Sequence, residues 1–316
     1  MRAFVTGGAG FIGSHLVDRL AASGYSVVVF DNFSTGRRDF LDGARDRCRI
    51  IEGDVLDRVR LGAAMAGTDV VFHLAANADV RFGTHHPEKD LQQNTVGTFN
   101  VLSAMREAGV QRLVFTSTGS VYGEPSVFPT PEDAPFPTQT SFYGASKLAG
   151  EGLISAFCEA YGFQAHIFRL VSVLGERNTH GHVFDFCRAL LTDPSQLRVL
   201  GNGRQRKSYV YVHDCIDAIL LALDRPSRRL NIFNVGTTEH AEVNDSVRWI
   251  SDRLDVKPAI EYSGGARGWV GDSPFIFLDT SKLRALGWVP RVSIKDAVIK
   301  TVDYLVEQRH LLDSRP

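Results

Sequence analysis

The sequence predicts an α/β fold: a doubly wound parallel sheet with a smaller mixed α/β lobe attached. Three observations carry this. Short apolar, β-rich runs alternate with helical stretches through the first half, the pattern of a parallel sheet covered on both faces. A glycine-rich segment, Thr6-Gly7-Gly8-Ala9-Gly10-Phe11-Ile12-Gly13, joins the first such run to the first helical stretch. The alternation breaks down after Val171, where Gly, Arg and His become frequent and shorter elements follow.

In chain order, strands are expected at 3–6, 26–30, 49–52, 70–73, 112–116 and 164–170, with helices at 12–22, 87–108 and 141–161 between them. Gly201-Asn202-Gly203 reads as a turn. Residues 231–235 are apolar enough for a late strand that returns to the main sheet, and the last helix spans 294–308. Residues 311–316 read as a frayed tail. A chain of 316 residues suits about two units. The division expected is 1–170, with the returning strand near 231–236, and mainly 171–316 for the second lobe. With no repeat or long linker, the two should pack together around a cleft.

Composition is that of an ordinary globular chain, with 44% hydrophobic and 22% charged residues. The net charge of −1 gives no global reason to bind nucleic acid or an anionic membrane. Cys48, Cys158, Cys187 and Cys215 are far apart and form no C-x-x-C pair, so reduced, buried thiols are expected rather than a disulfide framework or a metal site. Met1 runs straight into a strand and no apolar run is long enough to span a bilayer. The expectation is a cytoplasmic protein without signal peptide or membrane segment.

The glycine segment has the context of a Rossmann-type dinucleotide turn. Gly7 permits the tight turn, Gly10 lets backbone approach a pyrophosphate, and Gly13 allows close packing of helix on strand. The helix N-terminus then offers free N–H groups and a positive dipole end to the phosphates. Asp31 ends the second strand, where a carboxylate accepts from ribose hydroxyls and repels a 2′-phosphate, favouring NAD over NADP. Arg37 and Arg38 nearby keep NADP open, and a plain turn at Asp31-Asn32 is the bland alternative. Asp54-Val55 follows the third strand and suits the adenine; standing alone, Asp54 would be a helix N-cap.

Tyr143 and Lys147 are four residues apart, hence on one face of a helix. Thr116-Ser117-Thr118 ends the fifth strand, at the carboxyl edge where such sheets bind ligands. A phenol with pKa about 10 needs roughly 4 kcal/mol of differential stabilisation to reach neutral pH. A neighbouring ammonium and a positive nicotinamide ring both favour the phenolate. Tyr143 could then take the proton of a sugar hydroxyl, Lys147 hold ribose hydroxyls, and Thr118 support the developing oxyanion.

These residues resemble the extended short-chain dehydrogenase/reductase family, within it the UDP-glucose 4-epimerase-like group. The likeness runs nearly end to end: Thr6 to Gly13, Asp31-Asn32, Gly53-Asp54-Val55, His73-Leu74-Ala75-Ala76, Asn94, Ser117 to Gly123, Tyr143 to Lys147, Gly201 to Asp214 and Leu286-Gly287-Trp288. It implies tightly held NAD, oxidation of the sugar at C4, rotation of the 4-keto sugar and return of hydride to its other face. It implies cofactor contacts from Phe11, Ile12, Asn32, Thr35, Gly36, Asp54, Val55, Leu74, Ala75, Ala76, Asn94, Ser117, Tyr143 and Lys147, besides the glycines and Asp31. It also implies a UDP-sugar substrate and a homodimer through the helices at 87–108 and 141–161, although apolar residues there could equally be intrachain core.

The strand-end sequence Thr118-Gly119-Ser120-Val121-Tyr122-Gly123 lacks the Asp-Glu pair of the related 4,6-dehydratases and the glutamate of the related decarboxylases. Hydride shuttling alone is retained, which favours epimerisation. In the second lobe, Ser172 replaces an asparagine that in the family contacts the diphosphate side, and Lys207, beside Arg206, replaces an arginine. Lysine binds phosphate but loses bidentate geometry. Arg267 supplies another cation, beside an apparent insertion at Gly268-Trp269, and His182 and Val183 are assigned to the substrate with Tyr143 and Thr118. Solvated surface charge is the alternative for each arginine. No acidic partner pattern accompanies His180 and His182, so no metal is expected. Ile276, smaller than tyrosine, leans toward tolerance of an N-acetyl group. Competing readings are a 2-epimerase or 4-keto-sugar reductase of the same scaffold, and a non-catalytic NAD-binding regulator.

Overall fold

The computed structural model describes residues 1–136, 138–225 and 228–313. Seven parallel strands form the central sheet: β1 (Arg2–Thr6), β2 (Ser26–Asp31), β3 (Cys48–Glu52), β4 (Val70–His73), β5 (Arg112–Thr118), β6 (Gln164–Leu170) and, later in the chain, β11 (Leu230–Val235). Their spatial order is β11-β6-β5-β4-β1-β2-β3, so the order reverses between β1 and β4. Such a switch point leaves a crevice at the carboxyl ends of the strands.

Alternation of side chains along the strands explains why the sheet is covered on both faces. In β1, Ala3 and Val5 join one core with Val27 and Val29 of β2, whereas Phe4 joins the opposite core with Val28 and Phe30. The first core is closed by α1 (Phe11–Ala22) through Leu16 and Leu20, and by α8 (Val212–Leu223) through Ile216 and Ile219. The second is closed by α2 (Arg58–Met65), α5 (Gly97–Ala108) and α6 (Phe142–Tyr161) through Leu61, Leu102 and Ile154. Each fully buried Leu, Val or Phe contributes about 1.5–3 kcal/mol of transfer free energy. The short helices α3 (Val80–His85) and α4 (Pro87–Lys89) lie between β4 and α5.

The second lobe has its own core, in which Val183, Phe184, Val199, Ile250, Val298 and Leu305 meet. It is built from β7 (Ser172–Leu174), α7 (His182–Thr192), β8 (Gln196–Val199), β9 (Arg206–Lys207), β10 (Tyr209–Tyr211), β12 (Ala241–Glu242), α9 (Val243–Leu254), β13 (Ala259–Tyr262), β14 (Phe275–Ile276) and α11 (Ile294–Glu307), whereas α10 (Ser281–Ala285) packs on β11 through Leu283 of the first core. Its strands form three small sheets, of which β12-β9-β14 bears on the site.

Two expectations are corrected. The helix expected at 87–108 is interrupted by a wide π turn over Asp90–Val96 before α5 begins. The tail is not frayed throughout: Leu311 and Leu312 are buried, which anchors the chain through 313, while 314–316 lie outside the described residues. No helix among the described residues is long and apolar enough to cross a membrane.

Candidate active site

The glycine turn lies at the switch point. Gly7 adopts φ +69°, and a β-carbon there would come within 2.6 Å of the Ala75 nitrogen after β4. A β-carbon at Gly13 would lie 2.1 Å from the Gly7 carbonyl oxygen. Gly10 caps α1 without any side-chain hydrogen bond to the first turn. Close approach of backbone and uncapped N–H groups at a helix start make a cradle that fits a dinucleotide pyrophosphate.

Asp31 has more to do than the sequence suggested. Its Oδ2 accepts from Ala9 N at 2.9 Å and its Oδ1 from Phe33 N at 2.9 Å, which pins the glycine turn to the end of β2. Burial raises its pKa, and those two N–H donors oppose the rise. A carboxylate has about four lone-pair sites, so capacity for ribose hydroxyls remains. Gly36 closes against this carboxylate; a β-carbon there would sit 2.9 Å from Asp31 Oδ1. Thr35 precedes it in the same loop. Arg37 binds Asp39 through Nε and Nη2 at 3.0 and 2.9 Å, and Arg38 binds Glu52 at 2.5 Å. Both arginines that kept NADP open are thus paired with carboxylates.

Asp54 is not a helix cap: Asp57 caps α2. Instead Asp54 accepts from Asn32 Nδ2 at 2.8 Å and from Leu56 N at 2.9 Å. Val55 beside it is buried, and its carbonyl accepts from Asn100 Nδ2 at 3.0 Å.

A buried chain orders the loop that holds Leu74, Ala75 and Ala76. Thr98 Oγ1 donates to the Asn94 carbonyl at 2.5 Å, so it accepts from His73 Nε2 at 3.0 Å. His73 Nδ1 then accepts from the Thr6 hydroxyl at 2.7 Å, and Thr6 Oγ1 accepts from Ala75 N at 3.3 Å. Burial, aided by Lys147, pushes His73 down to about 3, consistent with the neutral ring this chain requires. Within the π turn, Asn94 accepts from Asn77 N at 2.8 Å and donates to Ser146 Oγ at 2.9 Å. Asp90 accepts from Asn77 Nδ2 and Asn94 Nδ2 at 2.9 and 3.2 Å. Asp90 and Asn77 were missed; the spacing of Asp90 four residues before Asn94 was the available signal.

Ser141 N-caps α6 through Gly144 N at 3.0 Å, setting Tyr143 and Lys147 in its first turns. Thr118, the last residue of β5, lies beside the Tyr143 hydroxyl, and its own hydroxyl donates to Ser120 Oγ at 3.2 Å. Its Oγ1 also accepts from Ser120 N at 3.1 Å, fixing the hydroxyl over the strand end. Burial pushes Tyr143 up to about 12, against the influence of the neighbouring Thr118 hydroxyl and with some help from Asp90. Lys147, 2% exposed, is pushed down to about 7 by burial, which Glu151 opposes. These side chains therefore do not activate the phenol by themselves.

Glu151 and Arg169 were also missed. Ser117 Oγ donates to Glu151 Oε1 at 2.5 Å, and Arg169 grips the same carboxylate through Nε and Nη2 at 3.1 and 2.7 Å. Arg169 further donates to the Tyr122 hydroxyl at 2.6 Å, and that hydroxyl donates to Asn234 of β11 at 2.9 Å. Glu151 follows Lys147 by four residues, the helical spacing that could have revealed it.

On the second lobe, Lys207 Nζ meets Asp272 Oδ1 at 2.5 Å, and Arg267 pairs with Glu124. Side chains alternate along a strand, and Arg206 points away from Lys207, its guanidinium 4.3 Å from the Phe275 ring centre. Ile276 turns inward, its Cγ2 3.4 Å from where a Gly119 β-carbon would stand. Ser172 is exposed on β7. His182 contacts Ser246 Oγ at 3.0 Å and packs on Tyr209; burial pushes it down to about 3. Val183 lies in the second core. Val183 is thus a core group, whereas His182 is half-buried and near enough to Lys207 for that ammonium to help hold its pKa down. Among the described residues no group of three or more His, Cys, Asp or Glu side chains could hold a metal.

A family model for the NAD dependent epimerase/dehydratase family matches residues 3–236. The chain belongs to that family. A relative, the UDP-glucose 4-epimerase of Mycolicibacterium smegmatis, is 36% identical over 96% of this chain and 98% of its own. A crystal structure of a UDP-galactose 4-epimerase superposes with TM-score 0.88 at 39% identity, covering 98% of this chain and 99% of that one. The Thermotoga maritima UDP-glucose 4-epimerase, solved with UDP-glucose, gives TM-score 0.89 at 32% identity, covering 98% and 100%. Membership makes NAD the dinucleotide of the cradle.

Proposed function

We propose that this family member is an NAD-dependent nucleotide-sugar 4-epimerase of the UDP-glucose/UDP-galactose type. The observation that carries the reading is the Tyr143–Thr118 hydroxyl pair at the end of β5, one helical turn from buried Lys147. When bound, NAD supplies the acceptor and donor of hydride. The chain's own groups handle the proton. Tyr143 takes it from the sugar C4 hydroxyl and returns it, and Thr118 holds that oxygen. Burial works against the phenolate, so a cation in the dinucleotide pocket and a charged Lys147 must lower its cost.

Gly119 and Ser120 supply no carboxylic acid beside Thr118, which argues against elimination of water or loss of carboxylate as the outcome. The likeness to UDP-sugar epimerases at 32–39% identity over nearly the full length supports a UDP-sugar. In this reading 1–170, with β11, holds NAD, and 171–316 mainly holds the nucleotide-sugar. Lys207 and Arg267 serve the diphosphate, and Ile276 leaves room beside the sugar for an N-acetyl group.

We also read the protein as a cytoplasmic homodimer. Free thiols fit a reducing compartment. Leu91, Phe99 and Tyr161 are 54%, 41% and 45% exposed on the π turn, α5 and α6, an apolar surface suited to a second copy. Light scattering on Leu91→Glu/Phe99→Glu tests this; a wild-type monomer would refute it.

The function is tested by incubating purified protein separately with UDP-galactose, UDP-N-acetylgalactosamine and UDP-glucuronate and following C4 configuration by NMR. Inversion of at least one, without net NADH, is expected. Inertness toward all three, with NADH consumed on a keto-sugar, would favour a reductase.

A further inference from the structure

Trp269 lies in the loop between β13 and β14, which is gathered around the carboxylate of Asp272. Gly268 N donates to Asp272 Oδ2 at 2.9 Å, Arg267 Nη1 to the Asp272 carbonyl at 2.8 Å, and Asp272 N to the Trp269 carbonyl at 3.1 Å. Lys207 completes the knot at Asp272 Oδ1. The folded loop sets the indole over Lys207, with Nζ 4.8 Å from the ring centre, and near Arg81 of α3, at 5.9 Å.

This position is on the ligand side of the lobe. A β-carbon at Gly271 would meet the Thr140 carbonyl at 2.7 Å, so the loop abuts the start of the helix that carries Tyr143. Trp269 also differs from the other two tryptophans. Trp288 donates its ring N–H to the Asp214 carbonyl at 2.9 Å, and Trp249 packs on the second core. Trp269 Nε1 is buried with no hydrogen-bond partner among the described residues. A buried donor left unpaired is costly and calls for an explanation.

Apart from Asp272, whose two carboxylate oxygens already accept from Lys207 and Gly268, the groups gathered at the indole are donors. An ammonium, a guanidinium and an indole N–H have no acceptor to offer, so the ligand that complements Lys207, Arg267, Arg81 and Trp269 is anionic and rich in acceptors. Arg267 pairs with Glu124, and Arg81 with Asp185, at part-exposed positions. Such pairs are weak and can exchange partners for a phosphate.

We propose that Trp269 is a substrate-binding residue whose indole closes over Lys207 and donates its ring N–H to the diphosphate of a bound nucleotide-sugar. The inference rests on the nucleotide-sugar reading and adds to it a residue that neither the glycine turn nor the Tyr-Lys pair points to.

The test titrates UDP into NAD-loaded wild type, Trp269→Phe and Trp269→Leu, by calorimetry and by tryptophan emission, after confirming that each variant melts cooperatively. Wild type should bind UDP with a change in emission. Trp269→Phe keeps a ring but loses the N–H; it should lose the emission change and bind about tenfold more weakly, and Trp269→Leu at least as weakly. UDP binding that is equally tight in wild type and Trp269→Phe overturns the proposal and leaves the nucleotide-sugar reading standing. Failure of the wild type to bind UDP, dTDP or GDP would bring down both.

Discussion

The Lys147 ammonium lies 4.1 Å from the centre of the Phe115 ring, buried one helical turn from Tyr143. An aromatic face recovers part of the cost of burying a cation, but burial still holds Lys147 down to about 7. The amine is therefore kept for function at the expense of stability.

Lys147→Met should abolish epimerisation and stabilise the cofactor-free protein by about 1–3 kcal/mol in urea unfolding. The sign with pH follows from linkage. Between the folded value of about 7 and the ordinary value of 10.5, the unfolded chain holds a proton that the native state lacks. Wild-type stability therefore gains on the variant as pH rises through that window, and the gap closes near its top. A gap independent of pH would show that Lys147 titrates normally.

In the proposed mechanism Tyr143→Phe removes the group that moves the proton but leaves the cradle intact. Turnover should fall by about 10²–10⁴ with NAD binding, read by nicotinamide fluorescence on reduction, unchanged. Thr118→Val should cost less, about tenfold to a hundredfold, since one hydrogen bond is lost. Full activity in Tyr143→Phe would remove the phenol from the mechanism.

Glu151→Gln leaves Arg169 buried without its counter-charge. A loss of about 3–5 kcal/mol is expected in urea unfolding, and Ser117 loses its acceptor. The double variant Glu151→Gln/Arg169→Met should recover much of the stability without restoring NAD affinity. Equal stability of the single variant and wild type would mean the pair is not held as described.

Gly13→Ala forces a β-carbon onto the Gly7 carbonyl, 2.1 Å away. Backbone must shift at the phosphate cradle, so NAD binding should weaken at least a hundredfold in a direct titration, well beyond any drop in melting temperature. Unchanged NAD affinity would place the dinucleotide elsewhere.

Acid should unfold the protein early. Burial pushes His73 and His182 down to about 3 and His15 and His166 to about 4. Below the ordinary value of 6.5 the unfolded chain takes up protons that the native state refuses, so stability falls as pH drops from 6.5 toward 4. Each histidine contributes at most about 1.4 kcal/mol per pH unit. His182→Gln should flatten the slope of urea stability against pH.

The fold was legible because its signals are local. Every strand expected in the central sheet is present, several within a residue of its bounds, since alternating Ala3, Phe4 and Val5 must face two cores and the glycine turn must follow β1. The π turn at Asp90–Val96 was not legible, because its buried residues, Asp90 and Asn94, are polar and carry no apolar period; they are joined there with Asn77 in a side-chain network. Tyr143, Lys147 and Thr118 could be named from spacing and strand end. Their electrostatics could not, since the burial that sends Tyr143 up and Lys147 down is a property of packing. Val183 was assigned to the substrate with His182, but α7 turns Val183 into the second core, while half-buried His182 meets Ser246 and Tyr209, more than twenty residues away in sequence.

Epimerisation through Tyr143 returns the substrate's own C4 hydrogen to the opposite face. UDP-galactose deuterated at C4 should therefore yield UDP-glucose that retains the deuterium at C4, with no label lost to water, when product is read by NMR after incubation with the NAD-loaded protein. Product stripped of its label, or galactose recovered unchanged at equilibrium times, would contradict the account.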